Sequence, residues 1–213
     1  MLFVTEAERD ATSADIADYD AFVTAQVAAS PLAQLNTTWV CFGSTPTVAA
    51  RDHAVFAFAD TPVYRPDGVL IAADYNQLIN TSSGTSLSAT QSITENGNPA
   101  AARAWTGTWP NGTIHPGSLG NTGTTAKAGA PAYTTYSWMF GNDLPVTQSL
   151  PLYGISAVLT VPIPPASIQI PLNYNFNGMF TSAKPTTPTT RTASAPSRIA
   201  RCCSTPACQP TRS

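Results

Sequence analysis

Charge is scarce in this sequence: Asp, Glu, Lys and Arg make up only 10% of its 213 residues, against about 25% in an ordinary soluble domain. Hydrophobic residues reach 43%, enough for a core, so Thr, Ser, Asn, Gly and Pro must cover the surface. That balance suits exported, strand- and loop-rich proteins better than helical cytoplasmic enzymes. No apolar run reaches the roughly 18 residues that a bilayer-spanning helix needs, so no membrane span is expected. Met1–Thr5 lacks the length and the basic start of an export signal. Acidic residues stop at Asp143. Residues 1–183 hold twelve acids and five bases, a balance of −7, whereas five bases and no acid follow from Lys184 onward. An acidic folded part repels phosphate backbones, which argues against nucleic-acid binding there.

Paired cysteines and clustered histidines are also missing. Cys41 lies alone in an apolar run, while Cys202, Cys203 and Cys208 crowd the tail without two CxxC pairs or a histidine. Neither a zinc site nor a disulfide framework is expected, and Cys41 reads as a buried small hydrophobe. His53 and His115 are the only histidines. The nearest approach to a nucleophile elbow, Gly154-Ile155-Ser156-Ala157-Val158, lacks the second glycine and sits in a strand-like run. No catalytic site is expected. His53 reads as satisfying a local hydrogen bond, and Asp15, Asp18 and Asp20 as a solvated helix face.

What is present is a mixture of helix and strand signals. Ile16, Tyr19, Val23 and Val27 recur at helical spacing after a possible N-cap at Ser13, and Pro31 follows. The pattern predicts a helix over about 13–29. Leu2-Phe3-Val4, Thr38–Phe42, Ala104–Trp109, Tyr136–Phe140 and Leu152–Val161 carry the β-branched and aromatic content of strands, the last being the expected closing central strand. Ala54–Phe58 reads as a short strand or a loop insertion. Tyr64-Arg65-Pro66-Asp67-Gly68 carries turn chemistry, and a short helical turn is expected around Asp74–Ile79. Residues 80–100 are polar, and the glycine- and proline-rich stretch 110–132 predicts a long surface loop.

Several of these strings, in this order, resemble a known family: Phe3-Val4-Thr5, Thr38-Trp39, Ala49-Ala50-Arg51-Asp52-His53, Tyr64–Gly68, Ile71–Tyr75, Thr94-Glu95-Asn96-Gly97, Trp105–Thr108 and Leu152–Pro162. Residues 1–162 are similar to a bacterial exported domain of unknown function related to C-type lectins and endostatin, in versions found in PEP-CTERM-type exported proteins. The resemblance implies an α+β, C-type-lectin-like fold: a mixed sheet with two helices and long loops, residues 1–5 lying beside 152–161. It also implies an extracellular or cell-surface setting. Members usually carry a signal peptide, and those sorted at the C-terminus continue into a Pro-Glu-Pro motif. Here Pro162 leads into Ile163-Pro164-Pro165 and a basic tail.

Sugar-binding C-type lectins hold calcium with a Glu/Asn pair in a long loop and an Asn-Asp pair nearby. Glu95-Asn96 and Asn142-Asp143 are the corresponding candidates. The triplets Glu-Pro-Asn and Trp-Asn-Asp are absent, so both pairs read as turns, calcium is possible but no tight site is expected, and no other cofactor is implied. Of Trp39, Trp105, Trp109 and Trp138, Trp109 is the one expected at the surface, because Pro110 and the glycine-rich stretch follow it. With Asn111 it could stack on a sugar ring. The function expected is therefore a non-catalytic binding module for a glycan or an extracellular protein, contacting it through residues 80–132. The alternative is a self-associating structural component of a matrix or surface layer. Asn36-Thr37-Thr38, Asn80-Thr81-Ser82 and Asn111-Gly112-Thr113 are glycosylation sequons, relevant only in a glycosylating host.

After Val161 the composition changes. Residues 163–180 form a Pro-rich segment expected to be extended, and 181–213 a basic Pro/Thr/Ser-rich tail. Ordering the backbone costs about 1–2 kcal/mol per residue, and the tail's only sizeable aliphatic side chain, Ile199, returns about 2–3 kcal/mol on burial. The tail is thus expected to be disordered. Deleting residues 181–213 should leave the melting temperature of the domain unchanged; a loss of several degrees would mean that the tail packs.

Overall fold

The computed structural model describes residues 1–54, 60–80 and 86–160. The chain divides into two units, Met1–Ile163 and Pro164–Ser213, and the structure described is that of the first. The segment Ala54–Phe58, the sequon at Asn80–Ser82 and the expectations for 163–213 fall wholly or partly outside the described residues.

In chain order the elements are β1 (Leu2–Val4), α1 (Ile16–Ala28), β2 (Trp39–Cys41), α2 (Ala50–His53), β3 (Val63–Tyr64), β4 (Leu70–Ala72), α3 (Tyr75–Ile79), β5 (Ala104–Trp105), β6 (Thr125–Gly129), β7 (Asn142–Pro145) and β8 (Tyr153–Ser156). Single 3-10 turns occupy Pro31–Leu35 and Tyr136–Trp138. The class is α+β. In place of one mixed sheet, the described residues make three small antiparallel sheets, ordered β1-β8-β2, β3-β4 and β5-β6-β7. Parallel pairing among them is confined to the isolated bridges Val4–Thr94 and Trp105–Leu152. The described residues form three helices where two were expected, and two of these are only four and five residues long.

The first sheet organises the rest. Leu2 faces Ile155 across the β1–β8 ladder, and Val40 faces Ile155 across β2–β8. The first and last strands therefore lie side by side, as expected. Side chains alternate across a strand, and here both sides are buried. Leu2, Val4, Val40, Tyr153 and Ile155 join one hydrophobic cluster, whereas Phe3, Trp39 and Cys41 join another. This explains why the strands read as continuous apolar runs instead of alternating ones.

Helix α1 covers the second face. Its N-cap is Asp15, whose side chain accepts from Ala17 N at 3.0 Å. Ser13, the expected cap, instead donates to the Asp18 carboxylate from outside the helix. Tyr19, Val23 and Val27 point inward, each burial contributing about 1.5–3 kcal/mol. Past the end, Ser30 Oγ donates to Val27 O and accepts from Leu32 N, which starts the next turn at Pro31.

Two glycines are required here, one by its backbone conformation and one by packing. Gly68 sits at φ +81° in the β3–β4 turn, a region open to glycine at no steric cost. Gly154 in β8 lies under α1: a Cβ there would come within 2.5 Å of Phe3 Cζ and 2.9 Å of Val23 Cγ1. The Phe3 ring cannot give way freely, because it is fully buried and packed edge-on against Trp39 at 5.3 Å. Gly154→Ala should therefore destabilise the domain by about 1–3 kcal/mol in a urea titration. An unchanged midpoint would show that α1 is not seated closely on β8.

Candidate functional site

Strand β6 is the element on which the site is built. It lies near the end of the stretch 110–132, which is thus not a continuous surface loop. Thr125-Ala126-Lys127-Ala128-Gly129 has no aromatic and little β-branched content, yet all but Thr125 are buried between β5 and β7. Lys127 ties the preceding segment to this strand. Its carbonyl accepts from Thr106 N and Gly107 N, and its N–H donates to Gly117 O at 2.7 Å. The strand expected over Ala104–Trp109 accordingly stops at Trp105, because Thr106 and Gly107 turn to meet that carbonyl.

Between these two anchors the chain folds back in a small hairpin. Thr108 bridges Ile114, Trp109 N donates to Thr113 O, and Gly112 N donates to Trp109 O. Asn111 Oδ1 accepts from Thr113 N and Thr113 Oγ1, closing an Asx turn at the tip. Arg51 N in α2 donates to Gly112 O and holds the tip down. Trp109 and His115 stand on opposite arms with ring centroids 4.3 Å apart at an interplanar angle of 69°.

The rings are backed from below. Phe140 stacks on Trp109 at 5.2 Å and 22°, meets His115 at 5.6 Å, and touches Tyr136 at 6.4 Å. In place of the strand expected over Tyr136–Phe140, a 3-10 turn spans Tyr136–Trp138; Trp138 and Met139 are buried and Phe140 half-buried. Lys127 Nζ lies 4.5 Å from the Phe140 centroid and bonds Asp143 Oδ2 at 2.9 Å. A buried ammonium needs such partners to offset its lost hydration.

The outcome is a half-exposed indole in an open cleft of about 510 Å³, walled by Pro46, Trp109, Ile114, His115, Ser118 and Thr122 among others. Trp109 is 40% exposed, while Trp39, Trp105 and Trp138 are buried, as their surroundings in the sequence suggest. Asn111 is near the platform but commits its side-chain oxygen to the turn. A smaller, mainly apolar cavity of about 180 Å³ opens beside β8, between Tyr64, Ile155 and Leu159.

The two calcium candidates serve other partners. Glu95 is 3% exposed and takes the Glu6 N–H on both carboxylate oxygens, while Asn96 Nδ2 and Asn98 Nδ2 donate to the Glu6 carboxylate. Burial raises the Glu95 carboxyl above its ordinary range. The Glu95-Asn96-Gly97 turn is present. Asn142 and Asp143, however, lie in β7 and not in a turn, because Asp143 pairs directly with Lys127 across β6–β7. With Glu95 turned inward and Asp143 committed to an ammonium, these residues do not fit a calcium cage. Among the described residues no group of three or more His, Cys, Asp or Glu is placed to hold a metal.

His53, Asp20, Cys41 and Ser156 are also engaged. His53 does not make a local bond: its Nε2 meets the Asp20 carboxylate at 2.8 Å, and Asp20 also accepts from Cys41 N at 2.7 Å. Asp20 is therefore a tie between α1, β2 and α2, not part of a solvated face. Cys41 is fully buried, and burial pushes its thiol well up, the Asp20 carboxylate adding to it. Ser156 Oγ accepts from the Met1 amine. No helix among the described residues is long and apolar enough to cross a membrane.

No protein-family model matches the chain, and no curated protein matches it.

Partial burial and then the nearby Lys127 ammonium push the His115 imidazole below its ordinary range, with Asp143 opposing. Its imidazole should titrate below the ordinary value of about 6.5 in an NMR pH series. Lys127→Met should move the midpoint upward, since the repelling charge is gone and Asp143 remains. A wild-type midpoint at or above 6.5 would show that the ring is better solvated than its packing implies.

Proposed function

We propose that the domain is an extracellular, non-catalytic binding module of the C-type-lectin-like kind, and that it seats a glycan on Trp109. The observation that carries this reading is the fixed, half-exposed indole in an open cleft. Phe140 stacks on it and His115 meets it edge-on, so its orientation is set before any ligand arrives. A preordered aromatic face loses little entropy on binding, and its negative π-face attracts the C–H side of a sugar ring. The pairing of β1 with β8 supports the lectin-like assignment, since such domains join their ends in one sheet. A binding role in place of a catalytic one is supported by the commitments of the reactive side chains: Ser156 to the Met1 amine, His53 to Asp20, Cys41 to the core. Calcium has no part in this reading, because its candidate ligands are used elsewhere.

A second reading, self-association as a structural brick, is favoured by Tyr133 and Tyr136, which are 54% and 46% exposed. Tyr136 continues the aromatic patch through Phe140. On a glycan array the wild-type domain should bind selectively, and Trp109→Ala should weaken that binding at least tenfold, about 1.4 kcal/mol. The variant should still fold, with a melting temperature lowered by the lost contacts to Phe140 and His115. Absence of glycan binding together with concentration-dependent sedimentation would replace the lectin reading with the structural one.

A further inference from the structure

We infer that the ligand is a neutral pyranoside and that His115 selects it by donating its Nε2–H to a hydroxyl of the sugar seated on Trp109. This inference rests on the glycan-binding reading above. Gly117 N donates to His115 Nδ1 at 2.8 Å. In a neutral imidazole one ring nitrogen accepts and the other carries the proton, so this backbone bond places the proton on Nε2. Among the described residues no partner meets Nε2. The hairpin that positions Trp109 thus also fixes the tautomer of its neighbour.

Placement makes that N–H useful. His115 and Trp109 line the same cleft, the two rings standing at 69° to each other. A pyranose lying with its C–H face on the indole turns its equatorial hydroxyls outward around the rim. A donor on a ring set at a steep angle beside the platform addresses that rim. Asn121, the amide in the same wall, is taken up by its own loop: its Nδ2 donates to Ser118 O and Thr125 O, and its Oδ1 accepts from Gly123 N. His115 therefore supplies a free N–H of fixed direction, with the Thr122 hydroxyl beside it on a more exposed position.

Charge selects against acidic sugars. Among the described residues that line the cleft there is no Asp, Glu, Lys or Arg. The nearby cation, Lys127, is already paired with Asp143 and covered by Phe140. A uronate or sulfate would find no counter-ion there and would approach a domain of balance −7 over residues 1–183. Desolvating an unpaired carboxylate is costly. Burial and Lys127 disfavour the imidazolium against the pull of Asp143, which makes His115 a poorer counter-ion as well.

The test uses the full chain, with the methyl pyranosides of glucose, galactose and mannose and the corresponding methyl uronides as probes, followed by NMR titration at low salt. At least one neutral glycoside should bind, with its uronide at least tenfold weaker. His115→Phe, which keeps a ring against Trp109 but has no donor, should lose about tenfold. His115→Gln, whose terminal amide N–H falls near the place of Nε2–H, should recover most of that loss. Long-range 15N correlation on the wild type should show the Nε2–H tautomer at neutral pH, a readout independent of folding of the variants. An Nδ1–H tautomer, a uronide bound as well as its neutral counterpart, or unchanged affinity in His115→Phe would each overturn the inference. If the wild type binds glycosides through Trp109 but ignores the histidine variants, only this inference fails. If it binds none, the glycan reading fails and takes the inference with it.

Discussion

Strand β8 is hydrogen-bonded on both edges and buried on both faces, and most of the domain follows from those two conditions. Its edges are taken by β1 and β2. One face, carrying Tyr153 and Ile155, packs into the cluster with Trp138 and the α3 residues Leu78 and Ile79. The other is nearly bare: Gly154 leaves the space that Phe3 and Val23 fill. Neither covering layer could close on a strand with bulky residues at every position, so the alternation of large side chain and glycine sets how near α1 can approach.

The features legible in the sequence are those whose chemistry is local. Tyr19, Val23 and Val27 announce α1 by spacing, Gly68 announces its turn by conformation, and Asp74 caps α3 within three residues through its bond to Gln77 N. Strand β6 was illegible for an opposite reason. Its small residues are selected by what crosses over them: a Cβ on Gly129 would collide with Trp138 O, a contact that no local pattern records. Tyr136–Phe140 has strand composition, yet its tryptophan is needed in the core beneath β8 and the chain must turn to deliver it. The bond from His53 to Asp20 spans 33 positions. Nothing in either residue's neighbourhood points to the other.

The candidate site divides the same way. Trp109 stood out because proline and glycine follow it. Its supports, His115 and Phe140, were not recognisable, because their roles depend on β6 passing between the segments that carry them. Lys127 is the common element: its main chain fixes Gly107 and Gly117, and its ammonium lies against Phe140 and Asp143. In a chain so poor in charge, this cross-strand pair is an uncommon feature, and it lies directly under the aromatic platform.

The side-by-side arrangement of β1 and β8 also governs how the domain responds to load. Leu2 lies opposite Ile155, and Ser156 N donates to Met1 O, so the start of β1 and the end of β8 lie at the same end of one ladder. Tension applied between these two strand ends would act across the hydrogen bonds and not along the strands. The bonds would then break in succession, as in a zipper, instead of shearing together. A domain built this way yields at low force when it is a link in a stretched chain, and it escapes that force altogether when it hangs from a single attachment point.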